Sequence, residues 1–117
     1  MDRLEEAIQE LRVSRGWDKT DTNGRLAKSV VVEASELLEC FQWDDVNVNL
    51  DNVKGEVADV LLNLVAMCID NGWDYQQVVI DKIVEIKKMY PEVKWVRHYT
   101  FIYPFVNQFV PIVTFVE

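Results

Sequence analysis

Residues 25–71 read RLAKSVVVEASELLECFQWDDVNVNLDNVKGEVADVLLNLVAMCIDN, and they carry the strongest structural signal in the chain. Apolar side chains recur in two blocks of this segment at the i, i+3, i+4 and i+7 spacing of an amphipathic helix. The residues between the blocks, 44–49, are rich in Asp and Asn, which favour a loop. The segment therefore predicts two consecutive helices that pack antiparallel, the first from about Arg25 to Trp43 and the second from about Leu50 to Asn71.

The flanking sequence predicts two more helices. Residues 2–15 place Leu and Ile at helical spacing, and Gly16 ends this first helix as a glycine after a helix C-terminus does. Residues 17–23 are polar and favour a loop. Asp74 is expected to open a further helix that ends near Tyr90, since a proline follows. The sequence thus predicts an all-α fold, a bundle of four helices.

The C-terminal residues differ from the rest in composition. Residues 96–117 are rich in Phe, Val, Ile and Tyr, and they include Pro104 and Pro111. This composition favours extended structure, but prolines exclude it from the centre of a sheet. An apolar tail has to pack on something, and the bundle and a neighbouring subunit are both open as partners. We expect a single helical domain over residues 1–95, followed by this tail.

Composition excludes several classes of protein. The 117 residues suit one domain, and half of them are hydrophobic. Twenty acidic residues against twelve basic ones give a net charge of -8, and no basic stripe exists for a nucleic-acid backbone. No apolar run is long enough to span a membrane, and the charged N-terminus is not a signal peptide. With Cys40 and Cys68 expected as reduced, buried thiols, the sequence favours a cytoplasmic location.

Two pairs of carboxylates lie within the two central helices. Glu33 and Glu36 form one pair and Glu56 and Asp59 the other, each at i and i+3, which places both members on one helix face. Apolar residues flank each pair, so both pairs border the expected core. Nineteen residues separate Glu36 from Glu56, enough for an antiparallel return that brings the pairs to one level. The alternative interpretation is a solvated face with ordinary surface acids.

Four carboxylates held together repel one another unless a cation joins them. Oxygen ligands without His or Cys suit Mg²⁺, with Mn²⁺ as a second possibility. A di-iron site would need histidines at helical spacing from these acids, and His98 in the tail is the sole histidine of the sequence. The acid pairs therefore predict a site for a hard divalent cation, and this ion chemistry is typical of phosphate transfer.

These residues resemble the all-α nucleotide pyrophosphohydrolases, that is, MazG-like proteins and their dCTP pyrophosphatase relatives. The family signature is E-x-x-E followed at a distance by E-x-x-D, which stands here as residues 33–36 and 56–59. The segments GWDKTDT at 16–22 and LAKSVVVEASELLECFQW at 26–43 are also similar, as are Lys82 and the YP dipeptide at 90–91. The resemblance covers roughly residues 3 to 92.

The resemblance implies a Mg²⁺-dependent hydrolase that cuts (d)NTPs between the α and β phosphates and releases a nucleoside monophosphate and pyrophosphate. Such enzymes clean the nucleotide pool and assemble as homodimers or homotetramers. The implied metal-binding and catalytic residues are Glu33, Glu36, Glu56 and Asp59, with Glu36 or the nearby Glu39 as acceptor of the water proton. The implied substrate-binding residues are Trp17, Trp43, Lys82, Asn63, Lys28 and Arg25.

Departures from the family pattern leave the nucleotide open. Asp21 and Arg25 stand where relatives often carry His and Asn, and Asn63 stands where they often carry Tyr. Near the end of the last helix, Ile86 stands at a common Asn. Two rival interpretations remain at this stage. One is a non-catalytic MazG-like module that binds a nucleotide or a protein, and the other is a purely structural oligomerisation bundle.

Overall fold

Helices make up the first ninety residues, and a β-hairpin follows them. The structure is a computed structural model, and it describes residues 1–90, 98–105 and 108–116. In chain order its elements are α1 (Arg3–Ser14), α2 (Trp17–Thr20), α3 (Asn23–Glu39), α4 (Leu50–Asn71), α5 (Tyr75–Met89), β1 (His98–Phe105) and β2 (Gln108–Val116). The predicted all-α fold is confirmed, with one short helix more than the four that were expected among residues 1–90.

The additional helix, α2, corrects the prediction of a polar loop over residues 17–23. Gly16 adopts a left-handed conformation with φ 72°, which turns the chain after α1 and starts it again in a helical direction. The backbone N–H of Asp21 then donates to the carbonyl of Trp17 at 2.8 Å and closes a single turn. The loop prediction was wrong because polar composition reports exposure to water, and a one-turn helix on the surface is as polar as a loop.

Side-chain caps set the ends of the two central helices. The Thr22 hydroxyl accepts a hydrogen bond from the backbone N–H of Arg25, so α3 begins two residues earlier than predicted. It ends at Glu39, four residues before the predicted end at Trp43. The side chain of Asn49 caps α4, and Gly72 ends α4 in a left-handed conformation with φ 69°.

Residues Met1–Tyr75 form one compact unit, in which α3 and α4 run antiparallel. At one end of the pair, Asn23 and Asn71 exchange side-chain hydrogen bonds of 2.8 and 3.3 Å. The buried core lies near this end, where α1 also packs, and it consists of Ile8, Leu26, Val65 and Ala66. The two acid pairs lie towards the opposite end of the helix pair, where α3 ends and α4 begins.

The apolar pattern overestimated this core. Leu38 and Leu61 belong to the predicted inward faces, yet they are 69% and 53% exposed in the single chain. Val31 and Val32 on α3 are also exposed, at 68% and 55%. Helical periodicity identifies an apolar face correctly but does not say whether the same chain or a second one covers it. Exposed apolar side chains therefore lie on both α3 and α4.

A buried arginine, which the sequence did not predict, joins α1 to α4 and to the connection between α2 and α3. The side chain of Arg12 on α1 is 2% exposed. Its guanidinium donates to Asp70 on α4 at 2.7 and 2.9 Å, and to Asp21, between α2 and α3, at 3.2 and 3.3 Å. A buried charge is tolerated only when it is paired in this way. Arg12 therefore fixes the position of Asp21 relative to the α3–α4 pair.

The second unit spans Gln76–Glu117 and contains most of α5 together with the hairpin. The strands pair antiparallel from His98 opposite Val116 to Phe105 opposite Gln108, with an irregularity between Phe101 and Ile102. Both strands of a two-stranded hairpin are edges, which explains how Pro104 and Pro111 are accommodated. Residues 98–105 and 108–116 of the tail are thus strands, and the role of the tail stays open. The boundary predicted between residues 95 and 96 lies outside the described residues.

Among the described helices, none combines the length and the apolarity that a membrane crossing requires.

Candidate metal centre

The antiparallel pairing of α3 and α4 brings carboxylates from both predicted acid pairs together. Glu33 on α3 and Glu56 and Asp59 on α4 each offer one carboxylate oxygen, and these oxygens all lie within 4.8 Å of one another. Three charged groups at this spacing meet the separation that a single bound cation imposes on its ligands. The predicted convergence of the two pairs therefore exists in the fold.

The fourth predicted acid, Glu36, lies beside this cluster. It lines a cavity of about 510 Å³ together with Glu56 and Asp59, and Glu39 and Asp51 line the same cavity. Glu36 also lies close enough to Glu33 and Glu56 to raise the pKa of both carboxyl groups. Three of the four predicted acids thus line one acidic cavity between α3 and α4, which we call the acid cavity, and Glu33 adjoins it through the cluster that it forms with Glu56 and Asp59.

The electrostatics of the acid cavity are those of crowded anions. Removal from water raises the pKa of Glu33, and hydrogen bonding and repulsion from Glu36 raise it further. The pKa of Glu56 is raised by the same loss of water and then by repulsion from Glu36. Both shifts mean that the loss of water, together with the neighbouring negative charges, disfavours the ionised carboxylates in the ion-free protein. A bound divalent cation would instead attract these carboxylates and favour their ionised form.

One atom in the cluster has its bonding capacity unused. Oε2 of Glu56 is buried and has no hydrogen-bond partner, a costly arrangement for a carboxylate oxygen. A cation bound among Glu33, Glu56 and Asp59 would supply the missing partner. Since the donor set is all oxygen, the residues fit Mg²⁺ or Mn²⁺ and do not fit a soft metal. The acid cavity is therefore a candidate centre for a hard divalent ion.

A second cavity of about 260 Å³ lies beside the Arg12 ion pair. Its wall includes two of the residues predicted to bind substrate, Trp17 and Asn63, together with Asp21 and Ser29. Trp17 is 46% exposed, and the guanidinium of Arg15 lies 5.9 Å from the centre of its ring. Nδ2 of Asn63 donates to the backbone carbonyl of Asp59 at 2.9 Å. The structure therefore brings Trp17 and Asn63 together, and we call this space the Trp17 cavity.

Of the other predicted substrate-binding residues, Trp43, Arg25 and Lys28 belong to the first unit and Lys82 belongs to the second. Trp43, just beyond α3, is 90% exposed. Arg25 donates to the carbonyl of Thr20 at 3.1 Å. Lys28 is exposed beside Val31 and Val32, and Lys82 on α5 forms an ion pair of 3.3 Å with Glu85. Within the first unit, the contacts that the structure shows for Arg25 and Lys28 involve none of the four acids.

Sequence reasoning missed two residues of the Trp17 cavity. Ser29 precedes Glu33 by one helical turn, so extending the acid stripe by four residues would have found it. Arg12 gave no signal of this kind, because an arginine in an amphipathic helix is expected on the solvent side. Its role depends on the distant residue Asp70, and such pairings are invisible to local periodicity.

Comparisons with known proteins identify relatives of this chain. The sequence profile of the MazG-like family matches residues 28–96, which include both acid pairs. A pyrophosphatase from Archaeoglobus fulgidus, known from its crystal structure, is 33% identical in sequence. The structural match has a TM-score of 0.69 and covers 74% of this chain and 88% of that chain. No curated protein sequence matches the chain.

Proposed function

This chain belongs to the MazG-like family, and from that premise we propose that it hydrolyses nucleoside triphosphates between the α and β phosphates with the help of Mg²⁺. The products are a nucleoside monophosphate and pyrophosphate. Its class, a hydrolase of nucleotide anhydrides, rests on the family and on the similar pyrophosphatase. The bond cleaved, the (d)NTP substrates and the metal are the finer parts of the proposal.

The observation that carries the proposal is the convergence of Glu33, Glu56 and Asp59 within 4.8 Å, beside Glu36. A triphosphate is strongly anionic, and a cavity lined by carboxylates repels it. The site therefore accepts such a substrate only with a cation between the two sets of charges. Bound there, Mg²⁺ would neutralise phosphate charge and lower the pKa of water. None of the residues that line the acid cavity carries a positive charge.

The residues of the chain supply the remaining chemistry. Glu33, Glu56 and Asp59 would hold the ion, and Glu36 would complete the carboxylate set from α3. Hydrolysis also needs an acceptor for the proton of the attacking water. We assign this role to Glu36 or to Glu39, which lines the same cavity one turn beyond on α3.

The nucleoside would occupy the Trp17 cavity, where the ring of Trp17 offers a stacking surface and Asn63 offers a polar edge. Lys28, Arg25 and Lys82 remain candidates for phosphate contacts. Trp43 remains a candidate for base stacking, and its 90% exposure in the single chain leaves its ring available to a substrate or to a second copy. A homodimer or homotetramer, active on the nucleotide pool of the cytoplasm, is part of this proposal.

The test is an identification of products from a panel of dNTPs and NTPs incubated with the protein and Mg²⁺. The proposal expects a nucleoside monophosphate and pyrophosphate in equal amounts, resolved by ³¹P NMR or ion-exchange chromatography. A diphosphate and inorganic phosphate would place the cut at the other anhydride bond and refute the proposed specificity. No turnover of any triphosphate would favour a non-catalytic binding module.

A further inference from the structure

The Trp17 cavity contains the carboxylate of Asp21, which Arg12 holds in place through two hydrogen bonds. Building on the proposed function, we propose that Asp21 is a specificity-determining residue that selects nucleotides whose base carries an exocyclic amino group. We further propose that Arg12 is the positioning residue that holds Asp21 in place. The preferred substrates would be nucleotides of cytosine, adenine or guanine, and the rejected ones those with a carbonyl at the corresponding position.

The Trp17 cavity lies at the right distance from the acid cavity to receive a base. Ser29 on α3 precedes Glu33 by four residues, and Asn63 on α4 follows Asp59 by four residues. On both helices this is about one turn, a rise of about 6 Å. Because the helices are antiparallel, Ser29 and Asn63 are displaced from the acids in the same direction along the helix pair. A nucleotide with its phosphates at the acid cavity can therefore extend its base into the Trp17 cavity.

The cavity combines a stacking wall with hydrogen-bond acceptors. Its apolar wall consists of Trp17, Leu26, Leu62 and Ala66. Of the polar groups, Asn63 already uses Nδ2 to donate to the Asp59 carbonyl, which leaves its amide oxygen as an acceptor. Asp21 adds a carboxylate, which accepts hydrogen bonds and donates none. The Ser29 hydroxyl also lines the cavity and can donate or accept, so these groups offer more acceptors than donors and favour a ligand edge that donates hydrogen bonds.

Asp21 is held in one position by a buried partner. Nε and Nη2 of Arg12 both donate to Oδ2 of Asp21, at 3.3 and 3.2 Å. The same guanidinium is anchored to Asp70 by bonds of 2.9 and 2.7 Å, and Arg12 is 2% exposed. These bonds leave Oδ1 of Asp21 for a ligand, and the side chain keeps 23% exposure. A preorganised acceptor of this kind loses little entropy when a ligand binds.

The chemistry of the bases then decides the preference. The amino group of cytosine donates to a carboxylate, whereas the carbonyl at the same position of uracil points a lone pair at it. A carbonyl that faces a carboxylate and finds no donor there is strongly disfavoured. A single hydrogen bond to a charged group gives a preference of about tenfold to a hundredfold. Deaminated nucleotides would therefore be poor substrates.

The experiment compares kcat/KM for dCTP and dUTP, which differ at this position. In the wild type we expect dCTP to be favoured by about tenfold or more. Asp21→Asn keeps an acceptor oxygen for Arg12 but can present an amide donor to a carbonyl, so the preference should fall to within a few fold. Asp45→Asn, in the exposed loop after α3, is the matched control and should keep the wild-type ratio.

Arg12→Lys tests the positioning role, because it keeps the charge and loses the paired geometry. The ratio of kcat/KM for dCTP to kcat/KM for dUTP should fall in this variant. A merely structural role of Arg12 would lower both values by the same factor and leave the ratio unchanged. The ratio is independent of the folded fraction, since both substrates meet the same folded enzyme. If Asp21→Asn is inactive, calorimetric affinities for dCMP and dUMP give the same comparison.

The outcomes separate this inference from the proposed function. Hydrolysis of both nucleotides with a ratio near one, or a ratio unchanged in Asp21→Asn, overturns the role of Asp21 and leaves the pyrophosphohydrolase intact. An absence of turnover with every triphosphate overturns the proposed function, and this inference falls with it. A cytosine preference that Asp21→Asn abolishes supports both.

Discussion

Arg12 is the residue whose loss should destabilise the first unit most. Replacing it by Leu would leave the carboxylates of Asp21 and Asp70 without their partner, although each keeps part of its exposure to water. Removing one member of a buried ion pair costs up to about 5 kcal/mol, and the partial exposure places this case nearer to about 2 to 3 kcal/mol. Urea unfolding of Arg12→Leu measures the loss.

The matched control is Arg3→Leu, which removes the same charge from an exposed position on α1. Exposed substitutions of this kind change stability by about 0.5 kcal/mol or less. Equal stabilities of the two variants would contradict the structural role given to Arg12.

Glu56 should make the ion-free protein less stable at neutral pH. Since folding raises its pKa, protonated Glu56 favours the folded state, and the stabilisation is complete below the usual carboxyl pKa of about 4.3. This stabilisation is lost as the pH rises through the raised value. Without metal, Glu56→Gln should therefore melt above the wild type at pH 7.5, and the difference should shrink on acidification.

Adding Mg²⁺ should reverse this order. The ion stabilises the folded wild type by binding it, and Glu56→Gln has lost a ligand. Differential scanning fluorimetry at several pH values, with and without Mg²⁺, gives all four curves. Identical melting temperatures of wild type and variant under every condition would contradict a metal site that includes Glu56.

At the scale of helices, we expect the substitution of glycine by alanine to have opposite effects at two positions, one inside α4 and one at its C-terminal end. Gly72 ends the helix with φ 69°, where an L side chain is strained by about 1 kcal/mol or more. Gly55 lies inside the helix, and a Cβ added there meets no atom within 4 Å. Gly72→Ala should destabilise the protein by about 1 kcal/mol, whereas Gly55→Ala should stabilise it by about 0.5 to 1 kcal/mol. Chemical denaturation of both variants checks the two signs together.

The sequence predicted the helices well because their signals are local. Apolar periodicity and cap residues such as Asn49 report on neighbouring positions, so the four long helices were found to within a few residues at most ends. The convergence of Glu33 with Glu56 and Asp59 also followed, since an antiparallel return between the two helices required it. Family membership, expected from these pairs, is confirmed by the profile match.

What the sequence could not show depends on contacts between distant residues. The burial of Arg12 requires Asp70, which lies 58 positions away. The short helix α2 rests on the backbone conformation of Gly16, which a polar composition does not reveal. The exposure of Leu38 and Leu61 depends on what covers them, and an apolar pattern does not distinguish a core within one chain from an interface between two.

At the scale of the whole molecule, the exposed apolar surface of α3 and α4 predicts self-association. Val31, Val32 and Leu61 are all more than half exposed in the single chain, and exposed apolar side chains that cluster often mark an interface between chains. Size-exclusion chromatography with light scattering should show a dimer or a tetramer. Val32→Glu, in the middle of that surface, should shift the protein to a smaller species.

The control for this shift is Val46→Glu, which alters a valine that is 78% exposed in the loop after α3. It should keep the oligomer of the wild type. A wild type that is monomeric at micromolar concentration would contradict an interface on α3 and α4.

The most direct test of the central claim, that the four acids form a metal-dependent hydrolytic site, is pyrophosphate release from a dNTP mixture as Mg²⁺ is titrated. We expect release that rises from zero with Mg²⁺ in the wild type and in Glu10→Gln, an exposed control on α1. Glu56→Gln should lose at least about a hundredfold in kcat/KM. Release that proceeds without any divalent ion, or that survives in Glu56→Gln at the wild-type rate, would contradict the claim.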